Sequence, residues 1–457
     1  MRKPVTAIFD IGKTNKKFFL FDARFREVHR EYVKPALTED EDGYPTEDLP
    51  ALVAWMRETL ARAAADPAYE IRSLNFSSYG ASLVHLGDDG APVTPLYNYT
   101  KPYPARLEDQ FYQQYGPQAE FARVTGSDRA GMLNSGLQLY WLKYRKPEVF
   151  AGIRTSLHLP QFLSYVFTGK AVSDYTSIGC HTALWDYRNG HYHRWVSEEG
   201  IEAKLAPVVP SQTVYSTSVN GRKLEVGVGI HDSSAALLPY LKSISKPFVL
   251  LSTGTWSIAL NPFANGTLTK ADATADCIHY MRTDGSPVLA SRLFLGNEYK
   301  LQTRALDAHY EVPPEHHRSI RFDPEHYRRV TDDFRPTFRW QSLDGIPGTE
   351  QSTYPHDSYE GAYHQLIYEL CLLQRERLVH VIGDSGINRV YVDGGFAANE
   401  VFMEILSQML RPVILRTTDA SLGSALGAAV AVTDAPLHKG FLKEHYALKK
   451  HKPLIPS

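Results

Sequence analysis

Two aspartates stand where a carboxylate can do chemistry. Asp10 lies at the end of the apolar run "VTAIFDI", just before Gly12-Lys13-Thr14, and Asp232 follows His231 in "GVGIHDSSAA". A carboxylate beside a glycine turn, whose amides can approach phosphate oxygens, can hold Mg²⁺ through water. A carboxylate at the start of a small-residue helix can take the proton of a substrate hydroxyl, as the base of a phosphoryl transfer does. Each also has a plainer use: Asp10 as the Asx residue of a turn, Asp232 as a helix N-cap. Lys17 can meet a phosphate as a point charge. Ser252-Thr253-Gly254-Thr255 offers hydroxyls and open backbone, and "VDGGFAAN" sets two glycines where a strand gives way to a helix, so that a flat ring or phosphate can come close.

The letters GKT also end a Walker A loop, but that motif needs a glycine five places before Gly12, where this chain has Ala7. A P-loop runs into a helix, whereas here Lys17-Phe18-Phe19-Leu20-Phe21 reads as a strand. Asp10, Gly12 and Lys17 therefore belong to a strand–turn–strand. The stretch "PFVLLSTGTWSIALNPFANG" has the same layout around Ser252 to Thr255, a repeat of architecture with slight identity. Two domains that each open this way can face their turns toward one cleft, with a boundary near Pro239 to Pro247.

The remaining elements follow from periodicity and punctuation. A helix is expected from Asp48 to Ala65, then a strand in "IRSLNFSSYG" and a hairpin with an Asp-Asp-Gly turn. Residues 105–150 read as helical, and another helix stops at Gly169. The proline-broken Val312 to Arg339 reads as a surface excursion and Tyr359 to Gly383 as a long helix. "RVYVDGGFAANEVFMEILSQMLRPVILR" reads as strand, turn, amphipathic helix, strand. "ASLGSALGAAVAVTDA" is a helix of small residues, and the basic "LKKHKP" a solvated tail.

Composition narrows the class. The 457 residues exceed one ordinary domain, and 49 basic against 51 acidic residues give a net charge of −2, with no field for nucleic acid. Cys180, Cys277 and Cys371 form no C-x-x-C pair, which suits a reducing compartment and excludes a cysteine-type zinc site. His191/His193 and His316/His317 lack a third ligand at metal spacing. With no apolar leader and no apolar run of about 20 residues, the expectation is a cytoplasmic protein without a membrane partner.

Taken in chain order, these pieces resemble the FGGY family of carbohydrate kinases, within the actin-like ATPase superfamily. "FDIGKTNKKFFLFD" is similar to its first phosphate loop, "STGTWS" to its second, "VDGGFAAN" to its adenosine segment and "SLGSALGAAVA" to its closing helix. "FTGKAVSDYTSIG" is similar to its LTG…TD.S stretch, and "IHDSSAA" to the segment with the catalytic aspartate. The resemblance implies an α/β protein of two ribonuclease-H-like domains, residues 1–242 with the sugar half and 243–457 with the ATP half. It implies ATP-dependent phosphorylation of a small sugar in the cleft between them.

Residue by residue, the resemblance makes Asp232 the base and puts Asp10 near Mg²⁺. Gly12, Thr14, Asn15 and Lys17 would meet the transferred phosphate, Ser252, Thr253, Gly254 and Thr255 the other ATP phosphates, and Gly394, Gly395 and Asn399 the adenosine. "IHDSSAA", "LSTGTWS" and "NFSSYGASLV" are most similar to the rhamnulokinase and fuculokinase branch, which makes Ser78, Tyr79, Gly80 and His231 sugar contacts and the C1 hydroxyl of a 6-deoxyketose the acceptor. Lys13 stands where small residues are usual, Lys17 where arginine is typical, Ser82 in place of an aspartate, and "YNYTKP" in place of D-x-R. Kinases of other ketoses, polyols or sugar acids, and a sugar sensor without activity, share the pattern. The family also allows a homodimer.

Overall fold

The structure, a computed structural model, describes residues 2–219, 221–264, 266–343, 345–433 and 436–454. Its first strands are β1 (Lys3–Ile11), β2 (Lys16–Asp22) and β3 (Glu27–Val33), a meander of antiparallel neighbours. Phe9, Phe18, Phe19 and Phe21 are fully buried, each contributing about 1.5–3 kcal/mol, so both faces of the hairpin are covered and Asp10 is an intruder in an apolar strand. Helix α1 (Leu49–Ala65) follows, with the Asp48 side chain accepting from the amide of Ala51 as its cap. It leads into β4 (Tyr69–Ser78), parallel to β1. Helix α2 (Leu159–Thr168) stops at Gly169, whose φ of 64° suits glycine.

Strands β5 (Val214–Val219), β6 (Arg222–Gly227) and β7 (Ile230–His231) complete this sheet, in the order β5-β6-β4-β1-β2-β3 with β7 beside the end of β4. Helix α3 (Asp232–Ser243) comes next, and Pro239 of the expected boundary lies inside it. The second sheet begins with β8 (Val249–Thr253) and β9 (Ser257–Asn261), a hairpin, followed by β10 (Cys277–Met281) and β11 (Pro287–Leu293). After α4 (Leu295–His309) and α5 (Tyr359–Ile382), β12 (Arg389–Gly394) runs parallel to β8, α6 (Glu400–Met409) turns back, and β13 (Ile414–Thr417) lies parallel to β12. Helix α7 (Gly423–Thr433) and edge strand β14 (Lys449–Lys450) end the described chain.

Both sheets thus open on an antiparallel hairpin whose first strand takes a later parallel neighbour, with the hairpin turn at the same end as the close of that parallel strand. Helices α3 and α7 pack between the sheets. A Cβ on Gly427 would lie 1.8 Å from the carbonyl oxygen of Ala235, so the small residues of α7 exist to let the two helix backbones meet. The Asn75 amide on β4 donates to the carbonyl of Ala428 at 2.9 Å, which ties the first sheet to α7.

Two expectations need correction. The basic tail is not simply solvated: Lys449 and Lys450 pair with β13, and Leu448 packs on the core, because an open sheet edge accepts any extended segment. The stretch from Val312 to Arg339 is not only a surface excursion either. Ile320, Phe322, Val330 and Phe338 are buried within it, spaced too irregularly by its prolines for a periodic reading.

Candidate active site

The turn between β1 and β2 is held by charge. Asp10 and Lys17 are cross-strand partners with Lys17 Nζ 3.5 Å from Asp10 Oδ2, and Ser424 at the start of α7 donates to Asp10 Oδ1 at 2.9 Å. Burial raises the Asp10 carboxyl above its ordinary range; Lys17 and Ser424 pull it down, and the charge of Asp232 pushes it up again. Gly12 donates its amide to the carbonyl of Asn15 at 3.0 Å, which closes the turn and leaves Thr14 and Asn15 exposed at its tip. Beneath the tip, Lys16 Nζ lies 2.7 Å from Glu47 Oε2 and donates to the carbonyl of Gly12 at 2.7 Å. Both side chains of that ion pair are almost wholly buried. The Tyr79 hydroxyl donates to Glu47 Oε1 at 2.6 Å, so one carboxylate joins the β1–β2 turn to the loop after β4. Lys13 Nζ is 3.9 Å from the same oxygen and lies over the rings of Tyr79 and Tyr99.

The expected sugar contacts come together. Ser78 on β4 pairs with His231 on β7, and a Cβ on Gly80 would meet the His231 ring at 3.0 Å. His231 Nε2 is 3.3 Å from Asp232 Oδ1, and Ser233 donates to the same oxygen at 3.2 Å. A chain of bonds fixes this corner. Asp174 caps a short helix by accepting from the amides of Thr176 and Ser177, the Thr176 hydroxyl donates to Asp174 Oδ2 at 2.6 Å, and the His231 amide donates to the Thr176 hydroxyl at 3.0 Å. That is what the "TGKAVSDYTS" stretch is for. Asp232 itself is not the cap of α3, as its sequence context suggested: His231 takes that position without a side-chain bond, and Asp232 opens the first turn. Its carboxylate is therefore not consumed by capping and sits 35% exposed at the positive end of the helix.

The second turn is held by backbone shape. Ser252, Gly254 and Thr255 are exposed although they close a central strand, whereas Thr253 is buried with its hydroxyl donating to the carbonyl of Asp393 and accepting from the amide of Phe396. Gly394 has φ 87°, and a Cβ there would fall 1.8 Å from the Thr253 carbonyl oxygen. Next to it opens a cavity of about 480 Å³ lined by Gly254, Thr255, Gly296, Tyr299, His317, Tyr363, Gly395 and Asn399, among others. Asn399 caps α6 through its oxygen, accepting from the amide of Phe402, and donates through its nitrogen to the Tyr363 hydroxyl at 2.8 Å. Ser252, Thr253 and Gly394 do not line that cavity; Gly254, Thr255, Gly395 and Asn399 do.

Sequence reading missed Lys16, Glu47, Ser424 and the His317 side of the cavity. Only Ser424, inside the small-residue segment, carried a local signal. Among the described residues two further groupings, Asp272/Cys277/His380 and His438/Glu444/His445, bring ligand-type atoms within 4.8 Å of one another, which cysteine spacing alone does not reveal. In the first, His380 Nε2 and Asp272 Oδ1 are already hydrogen-bonded at 2.7 Å. No helix among the described residues is long and apolar enough to cross a membrane.

Two family profiles match in tandem: "FGGY family of carbohydrate kinases, N-terminal domain" over residues 5–236, and "Carbohydrate kinase FGGY, C-terminal domain" over residues 245–439. The chain belongs to the FGGY family of carbohydrate kinases. Its fold is that family's two-domain, actin-like ATPase architecture. A carbohydrate kinase from Novosphingobium aromaticivorans superposes with a TM-score of 0.82 at 25% identity, over 100% of this chain and 95% of that one. A xylulose kinase from Lactobacillus acidophilus gives 0.77 at 16% identity, over 98% and 94%. The rhamnulokinase of Yersinia pestis (strain Pestoides F) is 27% identical over 231 residues, 50% of this chain and 46% of that protein. The match therefore spans about half the length of that relative.

Proposed function

We propose that this FGGY protein is an ATP-dependent sugar kinase. It would transfer a phosphoryl group to a hydroxyl, C1, of a small ketose, for which a 6-deoxyketose such as L-rhamnulose or L-fuculose is the leading candidate. One observation carries the reading: Asp232, uncommitted to capping, stands between the sugar loop, Asp10 and the charged turn. Asp232 accepts the hydroxyl proton as that oxygen bonds to the γ-phosphorus, the bond to the β-phosphate oxygen breaks, and ADP leaves. The shared strand–turn–strand layout of the two halves supports a division into domains 1–242 and 243–457.

The cavity beside Gly254, Thr255, Gly395 and Asn399 fits a nucleoside, with glycines where a Cβ would fill the approach. Ser252, exposed at the strand end, and the tip residues Thr14 and Asn15 face the phosphates in this reading; Thr253 shapes the turn instead. The donor set also fits magnesium: Asp10 offers a hard carboxylate in the field of Asp232, and a cation there relieves their repulsion. When bound, the metal neutralises charge on the phosphates. Lys17 adds a fixed cation beside Asp10.

The rhamnulokinase likeness over half the chain supports the 6-deoxyketose. ADP release measured with L-rhamnulose, L-fuculose, D-xylulose, L-ribulose, D-ribulose, gluconate and glycerol tests it. ADP should form only when sugar is present, and fastest with a 6-deoxyketose. Equal turnover without sugar would contradict the kinase reading, and a preference for gluconate or glycerol would contradict the ketose.

A further inference from the structure

We infer that Asp272, Cys277 and His380 form a binding site for Zn²⁺ in the second half of the chain, which clamps the segment from Thr267 to Cys277 onto the long helix α5. It is a site apart from the two phosphate turns, and it stands whether or not the kinase reading does.

Three elements supply one ligand each. Asp272 lies in the short helix Lys270–Thr274, Cys277 opens β10, and His380 stands in the last turn of α5. Their ligand atoms all lie within 4.8 Å of one another. In a tetrahedral zinc shell such atoms are about 3.3–3.8 Å apart, so side-chain rotation is enough to close it. The Asn261 side chain, at the end of β9 away from its turn, donates to the carbonyl of Val381 at 2.8 Å, which puts this corner at the opposite end of the sheet from the cavity-bordering turn. The cysteine spacing excludes a site of paired cysteines, whereas one ligand from each of three elements leaves no spacing signal.

The donor set selects the metal. A thiolate, an imidazole and a carboxylate together suit Zn²⁺, while Mg²⁺ asks for oxygen alone. Asp272 is already oriented: its Oδ2 accepts from the amide of Thr269 at 2.6 Å and from the Thr269 hydroxyl at 2.7 Å, which leaves Oδ1 facing His380 Nε2 at 2.7 Å. A ligating carboxylate held by outer partners in this way is what a metal site requires. The imidazole of His380 is 24% exposed, so an ion and its water reach the site from outside, with Cys277 buried beneath. Two residues along β10, His279 shares the face of Cys277, and its Nδ1 is buried without a hydrogen-bond partner among the described residues. On binding, the Cys277 thiol gives its proton to solvent as Sγ bonds to the metal, and neutral His380 exchanges its bond to Asp272 for a bond to the ion. The segment that the ion would clamp also touches the first half: the Leu268 amide donates to the carbonyl of Arg123 at 3.2 Å, and Arg123 Nη1 donates to the Thr267 hydroxyl at 3.2 Å.

The test takes the full chain, stripped of metal with EDTA and dialysed into excess Mg²⁺, and titrates it with Zn²⁺ and separately with Co²⁺ as a spectroscopic stand-in. Wild type should bind one Zn²⁺ per chain and melt at a higher temperature with it, and its Co²⁺ form should show the sulfur-to-cobalt charge-transfer band of a thiolate ligand. Cys277→Ser should lose that band. Thr269→Ala, which frees Asp272 Oδ2 without touching the metal, should weaken Zn²⁺ binding by about 10–100-fold. Zn²⁺ binding without the band, or of equal strength in Cys277→Ser, overturns the inference and points to the exposed His438/Glu444/His445 grouping instead. A wild type that binds no Zn²⁺ overturns it as well. Should Cys277→Ser fail to fold, an unchanged Zn²⁺ affinity in Thr269→Ala overturns it in its place.

Discussion

The two hairpins that face the cleft share a layout and differ in what holds them. The first, β1 to β2, is pinned by ions: Asp10 to Lys17, and Lys16 to Glu47 under the tip. The second, β8 to β9, carries no charged residue at its turn and is held by backbone that only glycine allows, Gly394 against Thr253 and Gly296 against Gly254. The difference matches a division of labour. The charged turn lies beside Asp232, where phosphoryl charge moves in the proposed reaction. The neutral turn borders the cavity, which in the same proposal has only to fit a nucleotide. Charge is placed where it can act on the reacting atoms, and shape where binding is the task.

Breaking the ionic turn should cost most. Lys16→Met leaves Glu47 buried without its cation, and loss of one partner of a buried pair costs about 3–5 kcal/mol. Denaturant titration should show that loss, and activity should fall with it, because Glu47 also holds Tyr79. An unchanged midpoint would mean that the turn is held by something other than this pair. The backbone-held turn is probed by a methyl group. In Gly296→Ala the Cβ would fall 1.8 Å from the Gly254 carbonyl oxygen, against 3.2 Å from the Asn15 carbonyl oxygen in Gly12→Ala. Overpacking predicts about 1–3 kcal/mol and a raised ATP KM for the first, and under about 1 kcal/mol for the second. Equal effects from both alanines would erase the contrast between the hairpins.

Much of this was legible in the sequence wherever the determinant is local. The strand–turn–strand around Gly12, the Gly-Gly entry at Gly394 and the stop at Gly169 are each set by a few consecutive residues. The repeated layout and the order of the motifs then carried the fold. Glu47 and the His317 side of the cavity were not legible, because each gains its place from residues far along the chain. Glu47 closes a three-residue strand of no special look until the fold brings Lys16 and Tyr79 to it. The sequence offered Asp232 both as a base and as a helix cap, and the structure sets the cap aside: one residue decides whether the carboxylate is consumed by the helix or left for a ligand. The tail at Lys449 and Lys450 misled by its charge, since edge strands tolerate lysine.

The central claim is that Asp232 takes the proton of the sugar hydroxyl. The most direct measurement is the mass of the best ketose after incubation with ATP and either wild type or Asp232→Asn, with both proteins shown to melt alike. The wild type should add one phosphoryl group, and the variant should do so about 10²–10⁴-fold more slowly, the range for a lost general base. Phosphorylated sugar forming at the wild-type rate with Asp232→Asn would contradict the account.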